Sequence, residues 1–330
     1  MASIREVAKL AGVSPATVSR VMNGTANVNE EKKKRVEAAI KETGFQPNEL
    51  ARALYKKSSK MIGMIVPDIE NPFFSELAKA VEDTAYQNGY RILLCSSGGD
   101  EEKEAVNIQM FNQLRADGIV VMTNCAETGK ALEDCPIPVV LVDRKLDGFN
   151  ENAFIEADNY KGGYLAAEHL VQCGCKNIVC MKEPTGYSSG RRRYEGYLDV
   201  CKKYNLKEQS VDCCYNYESG LRAAEEILKK YPEVDGVVAG NDIVAMSVYK
   251  VFTRHGKKIP QEVQLVGFDD VGFGELFIPE LTTIHQPIKE MGHLAAEIIL
   301  KAVNGEPYEK KNVFDVKLVE RETTKNMQNL

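Results

Sequence analysis

Side chains able to recognise a hydroxyl-rich ligand occur at the ends of apolar segments in both halves of this 330-residue chain. They combine carboxylate, guanidinium and amide groups with aromatic rings. Charged and amide groups form paired hydrogen bonds with neighbouring hydroxyls, and aromatic faces cover the C–H patches of a sugar ring. The pattern therefore predicts a site for a polyhydroxylated sugar. Its ten residues are Asn71, Phe73, Phe74, Asp143 and Arg144 in the first half, and Arg193, Tyr215, Asn241, Asp269 and Gln286 in the second.

Half of these residues also have a purely structural alternative. Phe73 and Phe74 stand at the start of a predicted helix and could belong to the core. Asp143 and Arg144 are adjacent and could form a surface ion pair, and Asn241 could simply cap the helix that follows it. Their shared position beyond the strands of two half-domains is what favours a binding site.

The elements that would position these residues are alternating strands and helices that begin at Met61. Continuous apolar runs alternate with amphipathic segments, and the alternation restarts after about residue 160. Such runs, separated by helices, are typical of parallel sheets covered on both faces. The runs in the first half are MIGMIVPDI, YRILLCSS, DGIVVMT and PVVLVDR.

The sequence therefore predicts an α/β core built from two similar doubly wound parallel-sheet subdomains. We expect an N-subdomain of about residues 61–160 plus 290–322, and a C-subdomain of about 161–289 plus 323–330. Sheets of this kind bind ligands at the carboxyl ends of their strands. The ten residues are therefore expected to face a cleft between the two subdomains.

Charge divides the chain into a basic head and an acidic body. Residues 1–60 carry 12 Lys and Arg against 6 Asp and Glu, whereas the remaining residues carry 30 against 42. A small basic segment on an acidic protein indicates that this segment alone meets a polyanion. The alternative is a solvated basic tail, and the ordered pattern of the segment argues against it.

The basic head has the pattern of an all-α helix-turn-helix headpiece, residues 1–46. IREVAKLA predicts a first helix that ends at Gly12. Ser14 and Pro15 begin a second short helix, and EEKKKRVEAAIKETG predicts a third. This arrangement is typical of proteins that place the second helix in the major groove of DNA, although a three-helix bundle can also be purely structural.

The exposed face of the second helix supplies the predicted contacts to DNA. Pro15, Ala16 and Arg20 point outward, and Arg20 can donate two hydrogen bonds to O6 and N7 of guanine. Short hydroxyl side chains suit the phosphate contacts that fix the register of a protein on DNA. These side chains are Ser14, Thr17 and Ser19.

Residues 47–60 predict a hinge helix and linker. Asn48 caps a short helix in PNELARALYKKSSK, and Lys56 and Lys57 follow that helix. Leu54 has the character of an apolar wedge that opens a minor-groove step. A plain interdomain linker is the alternative. In a dimer, two such helices would present two adjacent wedges.

The N-terminal region resembles that of the lac/galactose repressor family of bacterial transcription regulators. The similarity lies in IREVAKLAGVSPATVSRVMNG and in the later PNELARAL. It implies a transcriptional repressor that binds a pseudo-palindromic operator as a homodimer. It further implies base contacts from Pro15, Ala16 and Arg20, insertion of Leu54, and a hinge helix that is ordered only on operator DNA.

The body resembles the periplasmic sugar-binding fold that serves as the sensor of this family, over residues 61 to about 325. The resemblance implies ligand contacts from Arg193 in RYEGY and from Asp269 in GFDD. NPFF, LVDR, GND and TIHQ are, with these two, similar to the site of ribose-binding proteins, which implies ribose or a close relative as an effector that lowers operator affinity. Tyr215 departs from the phenylalanine expected there, which keeps the ring and could admit a further hydroxyl contact.

Three rival functions share parts of the pattern. An enzyme would need a GxGxxG loop, a P-loop, a GxSxG motif or a Cys/His pair, so we expect no catalytic residue, no cofactor and no enzymatic activity. A transport protein would not carry the headpiece. A corepressor-dependent regulator of the purine or phosphoprotein type has the same fold and stays open, because a phosphoprotein partner would dock on the outer surface.

Cysteine usage and hydropathy indicate the compartment. The nine cysteines and four histidines lack the spacing of a zinc site. We therefore expect free, mostly buried thiols and no bound metal. No run approaches the roughly 18 apolar residues of a membrane helix, and charges at Arg5, Glu6 and Lys9 stand where a signal peptide needs its apolar core. We expect a cytoplasmic protein with no membrane partner.

Overall fold

The structure, a computed structural model, divides into two compact units, Met1–Ser59 and Lys60–Leu330. The predicted hinge residues Asn48, Leu54, Lys56 and Lys57 lie outside the residues that it describes. The described residues are 2–24, 28–45, 58–123, 128–133, 135–145, 152–184 and 187–325.

The N-terminal unit contains the predicted helices α1 (Ile4–Ala11), α2 (Pro15–Asn23) and α3 (Glu30–Thr43). The Oγ of Ser14 accepts a hydrogen bond from the backbone of α2 at 3.2 Å, which satisfies one of the amide groups that a helix start leaves unpaired. Gly12 ends α1 at φ 62°, a left-handed conformation that glycine adopts without strain.

A small apolar core holds these three helices together. Val7 of α1, Val18 of α2 and Val36 of α3 are fully buried. They meet because valine and alanine recur at helical spacing on the inner face of each helix. This core packs the inner face of each helix, so the outer face of α2 stays exposed.

The second unit consists of two six-stranded sheets flanked by helices. Its described strands, in chain order, are β1 (Met61–Val66), β2 (Arg91–Ser96), β3 (Gly118–Val121), β4 (Val139–Val142), β5 (Ala153–Ala157), β6 (Ile178–Lys182), β7 (Ser210–Asp212), β8 (Gly236–Val238), β9 (Gln264–Asp269), β10 (Thr283–His285), β11 (Lys311–Phe314) and β12 (Lys317–Val319). Its described α-helices are α4 (Pro72–Gln87), α5 (Glu101–Gln113), α6 (Thr128–Glu133), α7 (Asn159–Gln172), α8 (Ser188–Lys203), α9 (Tyr217–Lys230), α10 (Asp242–Arg254) and α11 (Ile288–Asn304).

The strand order confirms the predicted pair of doubly wound sheets. It is β11-β5-β4-β3-β1-β2 in the first sheet and β12-β10-β9-β8-β6-β7 in the second. Within each described sheet the neighbouring strands are parallel, apart from β12, which runs antiparallel to β10. The residues of β3, β4 and β9 are buried throughout. This explains their continuous apolar runs, since helices cover both faces of a parallel sheet.

Three connections join the two sheets within the described part of this unit: β5 to α7, β10 to α11, and β11 to β12. The third corrects the predicted boundary, which kept residues up to 322 in the N-subdomain. Phe314 pairs with β5 in the first sheet, whereas Lys317 already pairs with β10 in the second. The sequence does not mark the point at which the chain passes from one sheet to the other, because apolar residues recur through VFDVKLV without a break.

Candidate functional site

A cavity of about 430 Å³ lies at the carboxyl ends of both sheets, between the two subdomains. All ten residues predicted from the sequence line it. Most of them stand at or just beyond a strand end: Asp143 directly follows β4, Asp269 ends β9, and Gln286 directly follows β10. The cavity has the size of a small-molecule site.

Arg193 is held on the C-subdomain side of the cavity by bonds within the protein. Its Nε donates to Oδ1 of Asn159 at 2.8 Å, and its Nη1 donates to the carbonyl of Gly240 at 2.6 Å. Its guanidinium carbon lies 3.6 Å from the centre of the Phe268 ring, a cation–π contact. These contacts fix the orientation of the guanidinium group.

Close contact between two helices places Arg193 at this position. A Cβ atom at Gly163 of α7 would lie 2.0 Å from the carbonyl oxygen of Arg193 in α8. Only glycine permits the two backbones to approach so closely. The local sequence NYKGGY therefore contributes to the site although it contains no residue of the predicted set.

Asp269 and Gln286 continue this arrangement. Oδ1 of Asp269 accepts a hydrogen bond from Nε2 of Gln286 at 2.7 Å and lies 3.9 Å from Nη2 of Arg193. Burial raises the pKa of Asp269 well above its usual range, because the charged form loses hydration, and Arg193 opposes this rise. Gln286 lies where the chain returns to the N-subdomain. The hydrogen bond between Asp269 and Gln286 therefore joins the cavity wall to one of the chain crossings between the subdomains.

Asp143 and Arg144 form the opposite wall, on the N-subdomain. Nε of Arg144 lies 3.3 Å from Oδ2 of Asp143, an ion pair whose direction does not make a hydrogen bond. The backbone of Asp143 has φ 69°, and that of Asp269 in the other wall has φ 113°. Residues other than glycine rarely adopt such angles, and the residues that do so cluster at functional sites.

Four side-chain atoms of the cavity are buried and have no hydrogen-bond partner within the described residues: Oδ1 of Asp143, Nε and Nη1 of Arg144, and Oε1 of Gln286. Such atoms are costly unless a ligand or water satisfies them. The two oxygens accept hydrogen bonds and the two nitrogens donate them. A molecule with several hydroxyl groups both donates and accepts, so its chemistry fits this set.

Aromatic rings contribute apolar surface to the same cavity. Phe73 and Phe74 are edge to face, with centroids 5.2 Å apart. Both are buried and also belong to the main core, so the core and binding interpretations of these residues apply together. The ring of Tyr215 packs directly on Gly240, where a Cβ atom would lie 1.9 Å from a ring carbon.

The two asparagines of the predicted set act as helix caps and also line the cavity. Oδ1 of Asn71 accepts a hydrogen bond from the amide of Phe73 at 3.0 Å, and Oδ1 of Asn241 accepts one from the amide of Val244 at 2.9 Å. Nδ2 of Asn241 donates to the carbonyl of Tyr215 at 3.2 Å. Capping fixes their orientation, which leaves only part of each amide to face a ligand.

The cavity also includes polar residues that sequence reasoning did not select. Several of them also lie just beyond the carboxyl end of a strand, since Asp68 lies after β1 and Glu183 directly follows β6. Tyr187 and Ser189 lie at the start of α8, where no strand end marks them. The polar and thiol-bearing lining residues outside the predicted set are Asp68, Ser96, Glu183, Tyr187, Ser189, Cys214 and Asn216.

The described residues contain no group of three or more His, Cys, Asp or Glu side chains that could hold a metal ion. The described cysteines are free, and most are buried or half-buried. Burial raises the pKa of Cys175 to about 12 and that of Cys213 to about 12. These thiols are therefore protonated at neutral pH and are weak nucleophiles and metal ligands.

The N-terminal unit carries a second candidate surface. Pro15, Ala16 and Arg20 of α2 are exposed, whereas Val18 on the opposite side is buried. Ser14 and Thr17 are joined through their hydroxyl oxygens at 3.0 Å, and Ser19 is half-buried. The outer face of α2 thus presents the residues predicted to contact bases, with the hydroxyl residues beside them.

Two family profiles match this chain. Residues 3–48 match the bacterial regulatory proteins of the lacI family. Residues 59–325 match the periplasmic binding proteins and sugar-binding domain of the LacI family. The chain belongs to the LacI family. This confirms the resemblance inferred from the sequence, and it makes the protein a DNA-binding repressor with a sugar-binding type of sensor domain.

Individual relatives agree with this placement. The chain is 38% identical to the ribose operon repressor of Halalkalibacterium halodurans, over 100% of this chain and 99% of the relative. A regulator from Alkaliphilus metalliredigens complexed with D-xylulofuranose is 34% identical, with a TM-score of 0.74 over 81% of this chain and 100% of that one.

Two further solved structures are similar. A LacI-family regulator from Enterococcus faecium with bound ribose is 27% identical, with a TM-score of 0.71 over 80% of this chain and 98% of that one. The lac repressor dimer bound to operator and the anti-inducer ONPF is 25% identical, with a TM-score of 0.88 over 98% of both chains.

Proposed function

We propose that this LacI-family repressor releases its operator when ribose, or a closely related pentose, binds the cavity between its subdomains. In this proposal the protein is a cytoplasmic homodimer that recognises a pseudo-palindromic operator, and it catalyses no reaction. The ten predicted residues form the effector site. Arg20, Pro15 and Ala16 contact bases, Leu54 of the hinge segment acts as the minor-groove wedge, and the hydroxyl residues of α2 contact phosphates.

The single observation that carries the proposal is the set of four buried, unpartnered atoms in the cavity. Asp143 and Gln286 require hydrogen-bond donors, and Arg144 requires acceptors. Each hydroxyl of a sugar can do both, and adjacent hydroxyls match the spacing of a carboxylate or a guanidinium. The buried rings of Phe73 and Phe74 suit the apolar C–H patches of the same sugar.

The relatives support a pentose in particular. A relative named as a ribose operon repressor covers the full length of this chain, and similar regulators have been solved with ribose and with D-xylulofuranose. The cavity, at about 430 Å³, suits a monosaccharide. The lac repressor, whose similarity extends over nearly the whole chain, is a dimer on its operator, which supports the same assembly here.

A corepressor mechanism is the second candidate, because repressors with this fold can respond in the opposite sense. A purine would place flat apolar surface against the aromatic residues and would leave much of the polar set formed by Asp143, Arg144 and Arg193 unmatched. That polar content favours a sugar. The sign of the effector's action on DNA is therefore the measurement that separates the two candidates.

The proposed switch follows from where the residues lie. A sugar that contacts Asp143 and Arg144 on one wall and Arg193 and Asp269 on the other bridges two subdomains that three chain crossings connect. It therefore favours the closed arrangement of the subdomains. If the closed arrangement binds operator more weakly, sugar and operator must oppose each other by the same factor.

Fluorescence anisotropy with labelled operator, with and without saturating ribose, tests this proposal. We expect ribose to lower operator affinity roughly 5- to 150-fold, the range of a typical coupling of about 1–3 kcal/mol. Asp269→Ala should bind operator normally and show no response, because it removes a carboxylate that accepts from the sugar and leaves Nε2 of Gln286 without its buried acceptor.

Each alternative result has a defined meaning. Tighter operator binding with ribose would support the corepressor mechanism and contradict induction. A thermal-shift screen of pentoses, hexoses and purine bases accompanies the titration. Stabilisation by a purine but by none of the sugars would overturn the proposed effector class while leaving the repressor assignment intact.

A further inference from the structure

A direct contact joins the two walls of the cavity at its rim. The guanidinium carbon of Arg144, in the N-subdomain, lies 4.3 Å from the centre of the Tyr187 ring, in the C-subdomain. Beside it, the amide of Lys145 donates a hydrogen bond to Oγ of Ser188 at 2.9 Å. Neither Tyr187 nor Ser188 belongs to the set predicted from the sequence. The residues on the two sides are 43 positions apart in the chain.

The ring of Tyr187 lies against an arginine whose polar edge is unsatisfied. The side chain of Arg144 is 12% exposed, and its Nε and Nη1 are buried without a hydrogen-bond partner among the described residues. Within the described residues its ion pair, to Asp143, is not a hydrogen bond. The guanidinium of Arg144 therefore has fewer bonds within its own subdomain than the guanidinium of Arg193, which has several partners.

We propose that Tyr187 is a positioning residue for the effector. Its ring covers one face of the Arg144 guanidinium and so directs Nε and Nη1 at the sugar. This inference rests on the proposed function of the cavity as a sugar site. A guanidinium over an aromatic ring within about 6 Å is attracted to it and keeps its edge free for hydrogen bonds in the ring plane.

The contact also connects ligand recognition with closure of the subdomains. Tyr187 can cover Arg144 only when the two walls are close together, and α8, which begins one residue after Tyr187, also carries Arg193. Closure thus adds Tyr187 of the C-subdomain to the part of the sugar site that lies on the N-subdomain. A sugar held by the oriented Arg144 should dissociate slowly, because opening removes the ring from the guanidinium as it releases the ligand.

Isothermal titration of ribose with the full-length protein tests the role of Tyr187. Tyr187→Ala should weaken ribose binding roughly 3- to 30-fold, the equivalent of one cation–π contact. Tyr187→Phe is the matched variant and should bind within about twofold of the unmodified protein, because it keeps the ring face. Ser188→Ala removes the neighbouring contact alone and should have the smaller effect.

A double-mutant comparison separates positioning from general support of the fold. In an Arg144→Gln background, Tyr187→Ala should change ribose affinity less than twofold, because the cation that it orients is already absent. A structural role for Tyr187 would instead lower ribose affinity equally in both backgrounds.

The outcomes distinguish this inference from the function on which it rests. If the unmodified protein binds ribose and Tyr187→Ala binds it equally well, the positioning role is wrong and the sugar site stands. If Tyr187→Phe loses as much affinity as Tyr187→Ala, the hydroxyl and not the ring face is responsible, which also contradicts the proposal. If the unmodified protein binds none of the pentoses, the proposed function itself fails.

Discussion

The two walls of the cavity carry the same kinds of charged group in different states of completion. On the C-subdomain wall, Arg193 already contacts Asn159, Gly240 and Phe268. On the N-subdomain wall, Asp143 and Arg144 form an ion pair, yet three of their polar atoms have no hydrogen-bond partner among the described residues. One wall is thus satisfied within the protein, whereas the other leaves buried hydrogen-bonding atoms unsatisfied.

This difference suggests how recognition and switching are divided. The C-subdomain wall is preorganised, so it binds a ligand without the free-energy cost of ordering its side chains, and it therefore supplies affinity. Unpartnered buried atoms penalise any molecule that leaves them unsatisfied, so the other wall supplies discrimination between ligands. Because the two walls belong to different subdomains, a ligand that satisfies both is also one that holds the subdomains together.

The largest expected effect is on stability, from the organised wall. Arg193→Met should lower the free energy of unfolding of the ligand-free protein by about 2–6 kcal/mol, because it leaves Oδ1 of Asn159 and the carbonyl of Gly240 without their donor, at about 1–3 kcal/mol for each buried acceptor. Urea denaturation followed by circular dichroism measures this change. Arg144→Met is the matched control in the other wall and should cost less than about 1 kcal/mol. Equal losses would contradict the contrast between the walls.

Asp143→Asn should separate binding from stability. Asparagine keeps the shape and tolerates the positive φ of this position, but it removes the charge. We expect ribose affinity to fall by about 1.5–3 kcal/mol, or roughly 10- to 150-fold, as a charged hydrogen bond is lost. The free energy of unfolding of the ligand-free protein should change by less than this, because Oδ1 of Asp143 has no hydrogen-bond partner to lose among the described residues. A large loss of stability with unaltered ribose affinity would reverse the roles given to the two walls.

Substitution in the headpiece tests whether sugar recognition is confined to the cavity. Arg20→Ala should weaken operator binding by about 1–3 kcal/mol and relax one base position, while ribose affinity without DNA stays unchanged. Lys57→Ala should weaken binding to all sequences alike and reduce the salt dependence. Gel-shift titrations with operator and random DNA distinguish these patterns. An equal loss on both DNAs for Arg20→Ala would show that Arg20 does not contact bases.

The pH dependence of ribose binding is the smallest expected effect and concerns Asp269. Burial raises the pKa of this carboxyl in the ligand-free protein. A sugar hydroxyl that donates to the carboxylate favours the charged form and lowers that pKa. Ribose affinity should therefore be constant at high pH and fall as the pH drops through the raised pKa, by at most about tenfold per pH unit. Asp269→Asn should bind weakly without this dependence, which calorimetry between pH 5 and 8 would reveal.

Much of the architecture was predictable because it follows from local patterns. Continuous apolar runs predicted the parallel sheets, and caps such as Ser14 predicted where helices begin. Their position beyond the carboxyl ends of strands predicted that residues as distant as Asn71 and Gln286 line one cavity. Three strands were missed, namely β5, β11 and β12, because AFIEA, KNVF and KLV each contain a charged residue and do not form the continuous apolar run that marks strands such as β3 and β4.

The sequence by itself therefore determined the kinds of group in the site and the edge of each sheet at which they lie. Only the tertiary structure decided which of them are already satisfied. Arg193 finds partners at Asn159 and Gly240, which are 34 and 47 residues away in the chain, and Arg144 meets Tyr187 across the cleft. Such pairings depend on how separate helices and loops pack in three dimensions, and no local periodicity records them.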